Sequence, residues 1–527
     1  MIIPWQQTAI MRGVTWALLS RWTTYLFLLL MPFSVFWPME IPLTGGVLPL
    51  YVTPGIHLSD LALVVMLLIG IVTVRRWGPF ELSGPLVGLG LLVLIAAPWA
   101  IIPRLAGYMA LRWLIAFAVY LWFVQKTVPV ERMVQCFVAG LCLHVIVGLV
   151  QVVVQHPLGL PGELTIPANA TWASVVSLPD SRWLRAYGLT FHPNVLGGYL
   201  AVGLLLSMPL LYRWSMRIAW WGLWLGLFIT FSRSAWVGAV LTVPVVMAWI
   251  AWRYPQQRRT LVISSFGAVL VLLACSLIWH QQLAVRLQPI TKRLVFMSSD
   301  QIQIAIGLPT ATPSPLPSPT VSHTATVLVP TSTAMIAKAP EMATTSPTAV
   351  VATATATEAL PTSTATAVPA TPTMTPSPAI SATPTVLTAI AAASTPNKAE
   401  LWSLHWRHEV TSRALGVIKE RPLQGVGAGN SVLVMPYNFS PTHQVPLMLA
   451  SEAGVFGGGL WLSLCLSVLL LLIRSWRQSN SWLMVSLCAW LALAVIGLFD
   501  FYPWGLNTGR LLTVMVSGLI ARSWEVT

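Results

Sequence analysis

The stretch RTLVISSFGAVLVLLACSLIWH, residues 259–280, decides the fold class of this chain. After Arg259 it contains no charged side chain, and a run of about 20 apolar residues is long enough for a helix to cross a bilayer core of about 30 Å. The whole chain of 527 residues is 56% hydrophobic and only 8% charged, with a mean hydropathy of +0.76. We therefore predict an all-α polytopic membrane protein.

About twelve such stretches are separated by short polar breaks, and alternate breaks carry Arg or Lys. Because cytoplasmic loops are enriched in these residues, the pattern predicts a multi-pass protein of the plasma membrane with both termini in the cytoplasm. The weakest part of this count is one pair of spans that nearly abut at Arg233. The predicted spans lie near residues 22–38, 59–74, 84–101, 105–124, 132–153, 192–212, 217–232, 234–252, 259–280, 444–473, 481–499 and 506–522.

This topology divides the chain into three regions. Residues 1–280 form a bundle of about nine helices, residues 281–440 form one large exoplasmic loop, and residues 441–527 add about three helices. Within the loop, residues 308–397 are mostly Thr, Ala, Pro and Ser and lack aromatic side chains. Such a composition cannot bury enough apolar surface to fold, so it predicts a disordered insertion.

A helix is predicted over residues 400–421, after the insertion, and Pro422 ends it. Its apolar stripe is assigned to Leu404, Val410, Leu415 and Ile418.

The net charge of +14 raises the question of a nucleic-acid partner. The basic residues are scattered between apolar runs instead of gathered on one surface, so we interpret them as orientation signals and expect no nucleic acid. The five Cys lie inside apolar runs without the spacing of metal ligands, so neither a metal site nor a cofactor is predicted.

Three arginines lie in short polar breaks that this topology places on the outer side. Arg233 stands at the join of two predicted spans, and Arg182 and Arg185 precede another. Cations are depleted on this side, so an arginine retained there needs a negatively charged partner. The pattern indicates a site for an anion that arrives from outside.

Further candidates lie at the end of the large loop. Residues 425–430, GVGAGN, predict a tight turn whose N–H groups either face an anion or serve turn geometry alone. His443, at the mouth of the next span, is either a proton-transfer group or a structural residue. Glu452 lies inside that span, where a carboxylate must be paired or lined by water.

Three more charged residues fall within or beside predicted spans, where such residues are costly. They are Arg112, Asp500 and Arg510. Each is a functional candidate for this reason, and the alternative for the last two is that they neutralise each other.

Several segments together resemble the O-antigen ligase family, which includes lipid-linked O-antigen polymerases and pilin-type O-oligosaccharyltransferases. Their order matches the family. So does their predicted position on the outer side of a protein with about twelve spans and one large loop before the tenth. Two features depart from it: Gln444 stands where the family commonly has Asn, and the insertion is far longer. The matching pieces are RAYGLTFHPN (185–194), TFSRSAW (230–236), Arg407 ahead of RPLQGVGAGN (421–430), and HQVPL (443–447) ahead of EAG (452–454).

The resemblance implies a ligase-like glycosyltransferase of cell-envelope polysaccharide or lipopolysaccharide biosynthesis. Its donor would be a glycan linked to undecaprenyl pyrophosphate, and its acceptor a hydroxyl of a glycan, lipid or protein at the exoplasmic face. Arginines would stabilise the leaving pyrophosphate, and a histidine would orient or deprotonate the acceptor. We expect metal-independent transfer with inversion at the anomeric carbon. The predicted catalytic residues are His443, Arg233 and Arg407, and the predicted substrate-binding residues are Arg185, His192, Asn194, Gly425, Gly427 and Glu452.

Two alternatives remain at this stage. A polymerase or a protein O-oligosaccharyltransferase would use the same chemistry, and in the latter case the Thr-rich insertion is itself a conceivable acceptor. A transporter of inorganic anions is more distant, because transporters place their charges near the membrane midplane.

Overall fold

The structure, a computed structural model, describes most of the predicted helical part of the chain. The described residues are 18–39, 53–73, 79–125, 128–161, 163, 175–177, 182–287, 396–435 and 441–524, and all belong to one compact unit. The predicted disordered insertion, residues 308–397, lies outside the described residues except for its last two.

The described chain is mostly helical, and a helix overlaps each of the twelve predicted spans. Seven of the described helices are long and apolar enough to cross a membrane, which supports a polytopic helical protein; the count of twelve crossings stays a prediction. The helices are α1 Leu18–Leu30, α2 Leu58–Thr73, α3 Phe80–Ala96, α4 Pro103–Val124, α5 Val130–Val154, α6 Pro193–Ser207, α7 Trp214–Ile229, α8 Arg233–Arg253, α9 Arg258–Ile278, α10 His280–Leu287, α11 Pro396–Glu420, α12 Val445–Ser475, α13 Ser481–Gly497, α14 Tyr502–Gly505 and α15 Asn507–Trp524, with 3₁₀ turns at Ala97–Trp99, Met208–Leu210, Pro255–Gln257 and Ser431–Val434.

Two short antiparallel strand pairs were not predicted. They lie in and beside the gaps 39–58 and 154–191 between predicted spans. The first pair also replaces the end of the predicted span 22–38, since α1 stops at Leu30. The pairs are β1 Phe36–Pro38 with β2 Gly55–His57, and β3 Val175–Ser177 with β4 Arg182–Leu184.

Helix α6 lies at the centre of the bundle. It packs against α5, α7, α8 and α13, and it is the most buried of the seven candidate spans at 89%, whereas α9 is the least buried at 22%. Glycine allows this close packing, as small residues do in membrane helix interfaces. A Cβ atom at Gly198 would lie only 1.5 Å from the hydroxyl oxygen of Tyr502.

The two spans that nearly abut in sequence are separate helices. Helix α7 ends at Ile229, α8 begins at Arg233, and the turn between them contains Phe231 with a φ of +47°. The chain therefore reverses at this turn, and Arg233 opens a new helix.

Helix α12 is broken directly after Glu452. Ala453 and Gly454 have non-helical backbone angles, and the φ of +72° at Gly454 is one that favours glycine. The segment 422–427 runs beside the break, and its N–H groups donate to the carbonyls of Ser451 and Glu452 at 2.9 Å each. These bonds replace the helical hydrogen bonds that the break removes.

Candidate functional site

One polar cluster joins distant parts of the chain at the end of the bundle where α6, α8 and α12 begin. Arg185 donates from Nη2 to Oδ1 of Asn194 at 2.7 Å, and Asn194 donates from Nδ2 to Oδ2 of Asp500 at 2.7 Å. Asn194 lies in the first turn of α6, and Asp500 follows α13. The cluster thus connects the centre of the bundle to its C-terminal helices.

Arg185 is buried and also donates from Nε to the carbonyl of Thr230 at 2.7 Å. Thr230 belongs to the turn that precedes Arg233, the half-buried first residue of α8. In this conformation Arg185 is engaged inside the protein, so the structure favours a positioning role for it over direct contact with substrate.

A second group of hydrogen bonds holds the segment that carries Arg185. Gln151 Oε1 accepts the N–H groups of Tyr187 and Gly188 at 3.3 and 2.9 Å. Glu163 Oε1 accepts from Gln151 Nε2 at 2.7 Å and from the Tyr187 hydroxyl at 3.1 Å. Burial alone would raise the pKa of Glu163, but the hydrogen bonds to its carboxylate lower it, so it stays a charged acceptor.

His192, predicted to bind substrate, is the N-cap of α6. Its Nδ1 accepts the backbone N–H of Asn194 at 3.1 Å. The bond satisfies one of the free donors of the first helical turn. Capping therefore accounts for this side chain and helps to fix Asn194.

His443 lies immediately before α12, with its ring perpendicular to that of Phe501 and 5.8 Å away. Among the described residues its buried Nδ1 has no hydrogen-bond partner. Desolvation and the nearby charge of Arg407 lower the pKa of His443 to about 3. The imidazole is therefore neutral at pH 7 and able to accept a hydrogen bond.

Arg407 lies on the exposed side of α11, and its charge acts on both His443 and Asp500. Burial raises the pKa of Asp500, while the hydrogen bond from Asn194 and the charge of Arg407 oppose that rise. The structure thus brings Arg407 and His443, two of the predicted catalytic residues, to one place. It adds Asp500, which was not predicted as a site residue.

The side of α11 that is buried differs from the predicted stripe. Leu415 is 46% exposed, so its assignment to the buried face is wrong. The buried face includes Trp406, the residue before Arg407, and the arginine itself is exposed. The buried residues in the described part of α11 are His405, Trp406, Val410, Ala414 and Val417.

The glycine turn after α11 surrounds a carboxylate of the protein itself. Glu452 Oε1 accepts the Ser431 hydroxyl at 2.6 Å, and its carboxylate also accepts the N–H groups of Gly429 and Ser431. The N–H groups of Gly425 and Gly427 donate to backbone carbonyls at 3.0 and 2.9 Å. Three residues predicted to bind substrate are thus bound within the protein in this conformation.

Replacing Glu452 by alanine should lower the free energy of unfolding by about 1–3 kcal/mol, because the donors of Gly429 and Ser431 lose their buried acceptor. Glu420→Ala is the matched control; this exposed carboxylate should change stability by no more than about 0.5 kcal/mol. Chemical denaturation in detergent measures both. Equal effects of the two substitutions would contradict the structural role of Glu452.

Asp500 and Arg510 have separate partners, so their interpretation as a neutralising pair is wrong. Arg510 donates from Nε to the carbonyl of Trp504 at 3.1 Å and lies 4.8 Å from the ring centre of Trp113. Asp500 bonds to Asn194 instead. The sequence signal for Asp500 is a carboxylate at the edge of an apolar span, which marks a functional candidate but does not identify its partner.

Comparison with protein families found no matching family model, and comparison with curated proteins found no similar sequence.

Proposed function

We propose that this protein is a membrane glycosyltransferase similar to O-antigen ligases. It would move a glycan from a polyprenyl-pyrophosphate carrier to an acceptor hydroxyl at the exoplasmic face. The observation that carries this proposal is the grouping of Arg407, His443 and Asp500, which come from three separate parts of the chain. A cation and a neutral imidazole are the groups that the transfer uses, and the carboxylate belongs to the hydrogen-bonded chain that holds them in place.

In the proposed reaction, neutral His443 orients the acceptor hydroxyl and takes its proton as the oxygen attacks the anomeric carbon. The bond between that carbon and the phosphate oxygen breaks, and the electron pair leaves with the polyprenyl pyrophosphate. Arg407 and Arg233 stabilise the charge that accumulates on this leaving group through charge-assisted hydrogen bonds. Attack opposite the leaving group inverts the anomeric carbon.

The remaining polar residues hold these groups in place. Arg185 links the turn before α8 to Asn194, and Asn194 holds Asp500. The residue after Asp500 is Phe501, whose ring contacts His443. Positioning of this kind matters because small displacements of reacting groups cost large factors in rate.

The position of the cluster favours an enzyme over a transporter. Its residues lie at helix ends: Asn194 is in the first turn of α6, His443 precedes α12, and Asp500 follows α13. Transporters bind substrate near the midplane at broken helices. The break in α12 is instead occupied by bonds within the protein.

The test uses the purified protein in nanodiscs with an oligosaccharide linked to polyprenyl pyrophosphate. Separate reactions contain a glycan, a lipid-linked glycan or a Ser/Thr peptide as acceptor. Wild type should release free polyprenyl pyrophosphate with one of these acceptors, and a chelator should leave the rate unchanged. Absence of release with every acceptor, with the donor bound, would reject the proposal.

A further inference from the structure

The end of the bundle opposite the polar cluster is strongly basic around α5, α7, α8 and α9. Glu131 pairs with Arg213 at 3.0 Å and is the only acidic residue in this region of the described chain. The excess of positive charge there is larger than this one ion pair can offset. The arginines are Arg132, Arg213, Arg217, Arg253, Arg258 and Arg259.

Helices α7 and α9 are packed side by side, and both begin at this basic end because two short turns reverse the chain between them. Trp221 of α7 donates to the carbonyl of Ser264 of α9 at 2.9 Å. Arg217 lies four residues before Trp221, and Arg259 lies five residues before Ser264. Because both helices rise about 1.5 Å per residue, the two arginines lie at almost the same height. Two cations of neighbouring helices therefore face the same level of the membrane boundary.

The guanidinium of Arg217 is held by an aromatic ring. Its central carbon lies 5.0 Å from the centre of the Trp214 ring, and among the described residues its buried Nε has no hydrogen-bond partner. An orientation signal requires only charge, but a stacked guanidinium is also fixed in direction. Its planar donors suit a phosphate group.

Exposed apolar side chains follow each of these cations along its own helix. Ile218 of α7 and Val262 and Phe266 of α9 are each at least half exposed. Helix α9 is also the least buried candidate span. Such a surface fits acyl chains, so the phosphate that suits the arginines belongs to a lipid and not to a free ion.

We infer that the basic end of the α7–α9 pair binds the headgroup phosphate of an anionic phospholipid, with Arg217 and Arg259 as ligands. The acyl chains lie along Ile218, Val262 and Phe266. Basic sites between membrane helices bind anionic headgroups in this way. The site is separate from the cluster around His443, and it stands whether or not the proposed activity does.

The experiment measures lipid binding to the purified full-length protein in detergent by native mass spectrometry and by thermal stability. Phosphatidylglycerol and phosphatidylcholine are titrated in parallel. Wild type should prefer phosphatidylglycerol, and its melting temperature should rise only with that lipid. The double variant Arg217→Gln/Arg259→Gln should bind phosphatidylglycerol about 25-fold more weakly, since each basic residue near a membrane surface contributes about fivefold.

The matched control is Lys419→Gln/Arg421→Gln, which removes the same charge at the end of α11, where the polar cluster lies. It should bind phosphatidylglycerol within about twofold of wild type, because diffuse charge is screened over about 10 Å. Equal losses in both double variants would overturn the site, and so would equal binding of the two lipids to wild type. Displacement of the lipid by millimolar inorganic phosphate would overturn the assignment to a lipid. If the double variant fails to fold, Arg217→Gln alone carries the test.

Discussion

Replacing His443 by alanine should slow the release of polyprenyl pyrophosphate by about 10²–10⁴-fold, the usual contribution of a positioned general base. Donor binding should stay within about twofold of wild type, because the imidazole acts on the acceptor. In the structure the ring is held against Phe501, and its low pKa keeps it neutral, as the orientation of an acceptor hydroxyl requires. The measurement is the nanodisc assay with the donor at a saturating concentration.

His408→Ala is the matched control for this substitution. His408 is an exposed histidine on α11, next to Arg407 in sequence, so its loss removes the same chemical group beside the cluster. It should leave the rate within about twofold of wild type, as exposed substitutions usually do. A full rate in His443→Ala would remove this histidine from the mechanism, and an equal loss in His408→Ala would show a general disturbance of α11.

Replacing Arg407 by alanine should lower the rate by about 10²–10³-fold, as expected when one donor to a developing negative charge is lost. Arg407→Lys should recover only part of the rate, because an ammonium cannot form the paired hydrogen bonds of a guanidinium. Lys419→Ala, an exposed cation farther along α11, is the control for charge alone. Equal rates for wild type and Arg407→Ala would exclude this arginine from the reaction.

The same substitution should also change the dependence of the rate on pH. In wild type the pKa of His443 is about 3, so its neutral form predominates throughout the range from about pH 5 to 8. Desolvation is the larger cause, but the charge of Arg407 contributes, so the pKa should rise in Arg407→Ala while burial still keeps it below the free value of 6.5. The residual rate of the variant should then fall as the pH drops through this higher pKa. A purely structural role of Arg407 would lower the rate without this change.

The positions of the membrane helices could be predicted because they follow from local composition. In an apolar medium the backbone groups of a single segment must form hydrogen bonds with each other. Apolar runs such as 132–153 and 234–252 can do this only as helices. The helix after the insertion was also predictable from its local pattern and from Pro422. Its orientation was not, because Trp406 and Ala414 are buried by contacts with later parts of the chain.

The site could be predicted only in part, because its contacts join residues that are far apart in the sequence. The family resemblance marked Arg407 and residue type marked His443, but their proximity depends on how α11 packs against α12. The partner of Asn194 is Asp500, and no spacing in the sequence links them. The glycine turn had two interpretations, a turn that faces an anion and turn geometry alone, and the structure shows Glu452 of the broken helix bound beside it. Such pairings are decided by tertiary packing and not by local pattern.

The bond between Asn194 and Asp500 has a consequence for biosynthesis. These residues are 306 positions apart, so at about 5–20 residues per second a ribosome needs about 15–60 s to make the second after the first. During that time α6 is already made, but its asparagine has no carboxylate partner, and His443 has not met Phe501. A nascent or truncated chain therefore cannot form the cluster, and the last helices to enter the membrane complete it.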